Sequence, residues 1–115
     1  MQKDLSLIRG DTLTFTFEIQ DFEGDLDTCY FSCKKSLDVA TYTFQKSLEN
    51  GITKEGDKYK VRIAPSDTKT VDIGKYLYDL QIGIDEDIYT IMTGTFTIKK
   101  EITSEPNEET GEPNE

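Results

Sequence analysis

Asp72-Ile73-Gly74-Lys75-Tyr76-Leu77-Tyr78-Asp79-Leu80-Gln81-Ile82 is the stretch whose reading decides the fold. From Tyr76 the bulky residues alternate: Tyr76, Tyr78, Leu80, Ile82 and Ile84 share one side, Leu77, Asp79, Gln81 and Gly83 the other. Successive side chains of extended backbone point to opposite faces, so this period of two predicts a strand with one face in a core. Asp72-Ile73-Gly74 ahead of it has the composition of a tight corner.

An Asp-x-Gly-x-Tyr run at the mouth of a strand resembles the tyrosine corner of immunoglobulin-like sandwiches, where the phenol hydroxyl bonds back to upstream backbone. The cysteine that antibody domains carry two residues later is replaced by Tyr78, which predicts a sandwich without the inter-sheet disulfide. The same alternation recurs on either side. Strands are expected over Asp4 to Ile8, Thr12 to Ile19 (Leu13, Phe15, Phe17 and Ile19 inward) and Thr28 to Lys35 (Cys29, Phe31 and Cys33 inward). Thr41 to Leu48 follows, with Tyr42 and Phe44 inward and Lys46 marking an edge. Then come Lys58 to Ile63 and, after the central strand, Ile88 to Lys99, with Ile88, Met92, Phe96 and Ile98 on one parity and Gly94 as a bulge. Pro65 to Thr68 is expected to be one irregular or 3₁₀-like turn, because proline lacks the ladder donor. No window shows a helical period. The fold class is therefore all-β, an immunoglobulin-like antiparallel β-sandwich of about seven strands spanning residues 1–100.

Residues 101–115 read as a disordered acidic tail, because they hold six of the 23 acids, no Lys or Arg, and no large apolar residue after Ile102. The rest carries 17 acids against 13 bases, a net of −4. Those bases are scattered singly among acids, which argues against a nucleic-acid partner. No apolar run approaches the ~20 residues that cross a bilayer, so membrane insertion is not expected. The start, Met1-Gln2-Lys3-Asp4, leads into no secretory signal, so synthesis and retention in the cytoplasm are expected.

The residues that could do chemistry are few. Cys29 and Cys33, four apart on one strand, would lie about 13 Å from each other, too far for a disulfide. With no histidine to complete a zinc site, they read as small core residues. Arg9-Gly10-Asp11 matches the integrin-binding tripeptide but is also ordinary turn chemistry, the preferred reading. Asp21, Glu23, Asp25 and Asp27 around Gly24 could offer oxygens to calcium, joined by Asp85-Glu86-Asp87 if both loops share one end; their spacing departs from an EF-hand loop, and they read as a solvated turn. There is no phosphate cradle and no nucleophile elbow, so no catalytic residue, cofactor or metal ligand is assigned and an enzyme is not expected. Tyr30, Leu77, Tyr89 and Ile91 stand on the nominally polar faces of their strands, where they would form an exposed apolar patch for a partner if those strands are neighbours.

Four segments, Arg9 to Phe17, Tyr30 to Lys35, Gly74 to Leu80 and Tyr89 to Ile98, together resemble, in order and spacing, the amino-terminal domain of phage baseplate upper proteins and their small stand-alone relatives in prophages of Gram-positive bacteria. The resemblance covers residues 9 to 98 and implies a non-enzymatic structural or adaptor protein of a phage tail or baseplate. It would be assembled in the host cytoplasm, carried in the virion tail, and docked to other tail proteins or to copies of itself. Family members continue into a helical linker, whereas this sequence continues into the acidic tail, which points to a small accessory subunit. The competing reading is a ligand-binding module that uses sandwich loops to hold a host glycan or calcium.

Overall fold

The structure, a computed structural model, describes residues 2–19 and 24–102. Its strands are β1 (Leu5–Ile8), β2 (Leu13–Phe17), β3 (Thr28–Lys34), β4 (Phe44–Ser47), β5 (Ile52–Glu55), β6 (Lys58–Ile63), β7 (Gly74–Ile84) and β8 (Asp87–Lys99), with one helical turn, α1 (Pro65–Thr68), before β7. A large sheet runs β1-β8-β7-β3-β4 and a small one β2-β6-β5. Facing each other, they form the immunoglobulin-like sandwich, with the first strand on the large sheet.

Strand β7 and its corner are as the sequence predicts. Tyr76 Oη donates to the Asp72 carbonyl at 2.6 Å, closing the tyrosine corner. Tyr76, Tyr78, Leu80 and Ile82 are buried against Tyr59, Val61 and Ile63 of β6 and the rest of the core. At its centre lies Phe31, fully buried, whose ring meets Tyr78, Phe96 and Phe44 within the large sheet at 5.1, 6.0 and 6.1 Å and Phe15 of the small sheet at 5.8 Å. This aromatic cluster joins the sheets where no disulfide does. Cys29 and Cys33 flank Phe31 as small buried thiols, and burial pushes both up to about 12.

Several expectations are corrected. There are eight strands rather than about seven: β5 lies between two turns and buries only Ile52, so it offers no alternation to read. The sandwich is not wholly antiparallel, because β1 pairs with β8 in parallel. Arg9-Gly10-Asp11 is the turn expected of it, and it carries the chain to the opposite sheet, with Gly10 at φ +85° and Asp11 N–H donating to the Ile8 carbonyl. Tyr42 is half-exposed, not inward, because β4 begins only at Phe44; its ring lies under the Lys34 ammonium at 5.3 Å. The Pro65 segment is an α-helical rather than a 3₁₀-like turn, with Lys69 N–H bonded to the Pro65 carbonyl.

Strand β4 is an edge, yet Lys46 is 5% exposed and points inward beside Phe44. Its Nζ donates to both Asp67 carboxylate oxygens at 3.0 and 2.9 Å, and Asp67 also accepts from the Ala64 N–H at 2.7 Å.

The bulge in β8 falls at Ile91, not Gly94. Leu80 pairs with Met92 but Gln81 with Thr90, which leaves Ile91 as the extra residue and reverses the parity beyond it. Ile88 is accordingly exposed rather than inward. Gly94 has another task. It lies opposite Tyr78, whose hydroxyl donates to the Lys3 carbonyl at 2.6 Å, and a Cβ at position 94 would run into that carbonyl.

The described body continues past residue 100, since Glu101 pairs with Arg9 at 3.1 Å. The expectation of a disordered tail concerns residues 103–115, outside those described.

Candidate docking face

The inner face of the large sheet is spent on the core, and its outer face is covered by no third layer among the described residues. Register sets which side chains share that outer face. Tyr30, Ser32 and Lys34 of β3 stand beside Gln81, Asp79 and Leu77 of β7, and Asp79 and Leu77 beside Thr93 and Thr95 of β8. On the other flank Ser32 pairs with Gln45, whose amide donates to the Ser32 hydroxyl at 2.9 Å. These residues, with Tyr42 and Leu37, line a groove of about 670 Å³.

Of the four residues expected to form a partner patch, the structure keeps two together. Tyr30 and Leu77 both line the groove, four positions apart along the ladder and so near its two ends. Tyr89 and Ile91 are corrected. The bulge places Tyr89 opposite Ile82, a core residue, so Tyr89 belongs to the inner side, where it is half-exposed. Ile91, at the bulge, packs partly against the core. The alternation that exposed them on paper assumed an unbroken period.

Sequence reasoning missed what stands between Tyr30 and Leu77. Asp79 sits midway along the groove, half-buried, and among the described residues makes no hydrogen bond or ion pair. Desolvation raises its pKa above the ordinary carboxylate value of 3.8, with Lys34 acting weakly in the opposite direction. Leu37, 84% exposed, and Tyr42, 49% exposed, extend the apolar lining at the Leu77 end. Both come from the segment between β3 and β4, where no period flags Leu37 and the alternation placed Tyr42 inward.

The acidic loops share one end of the sandwich, since Asp27 N–H donates to the Gly83 carbonyl beside the Asp85-Glu86 turn. Asp25 is engaged by Lys54 at 2.7 Å, while Asp21 and Glu23 lie outside the described residues. Among the described residues no three His, Cys, Asp or Glu side chains gather as a metal site. Arg9 of the Arg-Gly-Asp turn is taken by Glu101 and the Val71 carbonyl. No described helix is long and apolar enough to cross a membrane.

The sequence matches no protein-family model and no curated protein. Among solved structures, it is similar to the extracellular domain of the voltage-gated sodium channel β4 subunit, described as a parallel homodimer with a role in cell–cell adhesion. The two are 13% identical, the match covers 87% of this chain and 92% of that one, and the TM-score is 0.47. That level of likeness says nothing about function.

Proposed function

We propose that this protein is a non-enzymatic docking subunit that takes a protein partner on the outer face of its large sheet. The setting that the motif resemblance over residues 9 to 98 implies is a phage tail or baseplate, assembled in the host cytoplasm. One observation carries the reading: an uncovered groove with Tyr30 and Leu77 toward its ends and a desolvated, unpaired carboxylate, Asp79, between them. A purely solvated face would leave its carboxylate in water. Here the cost of partial burial is relieved when a partner brings a cation or donor to Asp79 and apolar groups to the ends of the groove. The partner's chemistry follows as a segment presenting Lys or Arg flanked by apolar residues.

The test is binding to the products of neighbouring tail genes by surface plasmon resonance, with immunogold labelling of induced particles. Leu77→Asp and Asp79→Asn should each weaken binding by about tenfold or more. Failure to bind any tail protein, or variants that bind like the parent, would sink the reading. A saturable signal on a glycan array without any protein partner would replace it with the ligand-binding alternative.

A further inference from the structure

The small sheet ends at β2, and none of residues 12–19 has a backbone partner other than β6 among the described residues. An immunoglobulin-like sandwich can cover this edge with its first strand, but here β1 is spent on β8 in the other sheet. The open edge reads Leu13-Thr14-Phe15-Thr16-Phe17, with no charge, no proline and no bulge. Natural edges usually carry such guards against pairing with another chain. Two of the other edges do. Strand β5 carries Lys54 and Glu55, and Lys54 is tied to Asp25; β4 turns Lys46 inward. The edge of β2 also leaves apolar surface open. Leu13, Phe15 and Phe17 are only half-buried, whereas their partners Ile63, Val61 and Tyr59 on β6 are buried.

We infer that β2 is a self-association edge, whose occupant is β2 of a second copy, antiparallel about a two-fold axis at Phe15. In an antiparallel ladder, opposed residues either both point their backbone groups at the partner or both point them away. A two-fold self-pairing is therefore restricted to axes that pass through a residue. Centred on Phe15, Leu13 faces Phe17 of the second copy, Thr14 faces Thr16, and Phe15 faces its counterpart. Just outside, Thr12 faces Glu18 and Asp11 faces Ile19, so no like charges are opposed. Strand β1 is uncharged too, but pairing it about Ser6 would set Lys3 against Arg9. The β2 pairing joins two small sheets into one and covers the half-buried Leu13, Phe15 and Phe17 of both copies. It leaves the groove on the large sheet free and stands apart from the function proposed for it.

Thr14 and Thr16 are exposed and opposed across the axis, so charge placed there reads out the register without touching the core. By sedimentation equilibrium the parent should approach twice 13.1 kDa as concentration rises. The double variant T14E/T16K sets Glu against Lys at both equivalent positions and should retain the dimer. T14K/T16K sets Lys against Lys and should weaken it by about tenfold relative to T14E/T16K. Circular dichroism melting confirms that both variants are folded. A parent that stays monomeric up to about 1 mM, or two variants with equal dissociation constants, would overturn the inference.

Discussion

Tyr76 and Asp79 stand three residues apart on β7 and make opposite contributions to stability. The Tyr76 hydroxyl donates to the Asp72 carbonyl, so Tyr76→Phe should lower unfolding free energy by about 1 kcal/mol in a urea titration, the scale of one net hydrogen bond. Asp79 works the other way. Its folded pKa lies above 3.8, so ionisation disfavours the folded state; the cost is absent well below pH 3.8 and complete once the pH exceeds the folded value. Asp79→Asn is therefore expected to raise the melting temperature at neutral pH and to leave it unchanged in acid, a pattern that a melting series across pH would reveal. The Tyr76 bond was legible because the Asp-x-Gly-x-Tyr spacing places phenol and carbonyl within one corner. Asp79 was legible only as an outward residue. Its partial burial arises where β3 and β8 flank β7, and neither neighbour is adjacent to it in the chain.

Among the elements, the single turn of α1 is held from two directions. Asp67 accepts from the Ala64 N–H at the start of the turn and from the buried Lys46 of β4 in the facing sheet. Asp67→Ala removes the counter-charge of a buried ammonium, leaving it only a 3.4 Å bond to Asn50 Oδ1, and frees the Ala64 amide; it is expected to cost about 3 kcal/mol, the scale of breaking a buried ion pair. Lys46→Met, which keeps the apolar stem and leaves Asp67 its amide partner, should cost clearly less in the same denaturation experiment. Equal losses would show that the pair, not the cap, carries the effect. The strands that read correctly, β3, β6 and β7, are those with one face in the core and an unbroken period. Those that misled break the rule locally: β5 shows one buried residue, β4 begins only at Phe44 and leaves Tyr42 outside it, and β8 carries an extra residue at Ile91 that exchanges its faces. A bulge adds no residue type of its own to the pattern, so alternation alone could not locate it.

At the scale of the whole molecule, the two buried thiols report whether the core opens as a unit. Cys29 and Cys33 flank Phe31, and with thiols pushed up to about 12 they should react with a thiol reagent in step with each other, at the rate of global unfolding. Labelling of either one much faster than unfolding would reveal a local opening of β3. The parallel pairing of β1 has a consequence for synthesis. Among the described residues, Leu5 to Ile8 find their ladder on Phe96 to Lys99, the end of β8, some ninety residues later in synthesis. Until then the start of the chain has no place to settle, and Gly94 has no Lys3 carbonyl to receive. Closure of the large sheet thus waits on β8 by topology: nascent chains stalled before β8 emerges should remain sensitive to protease however long they wait.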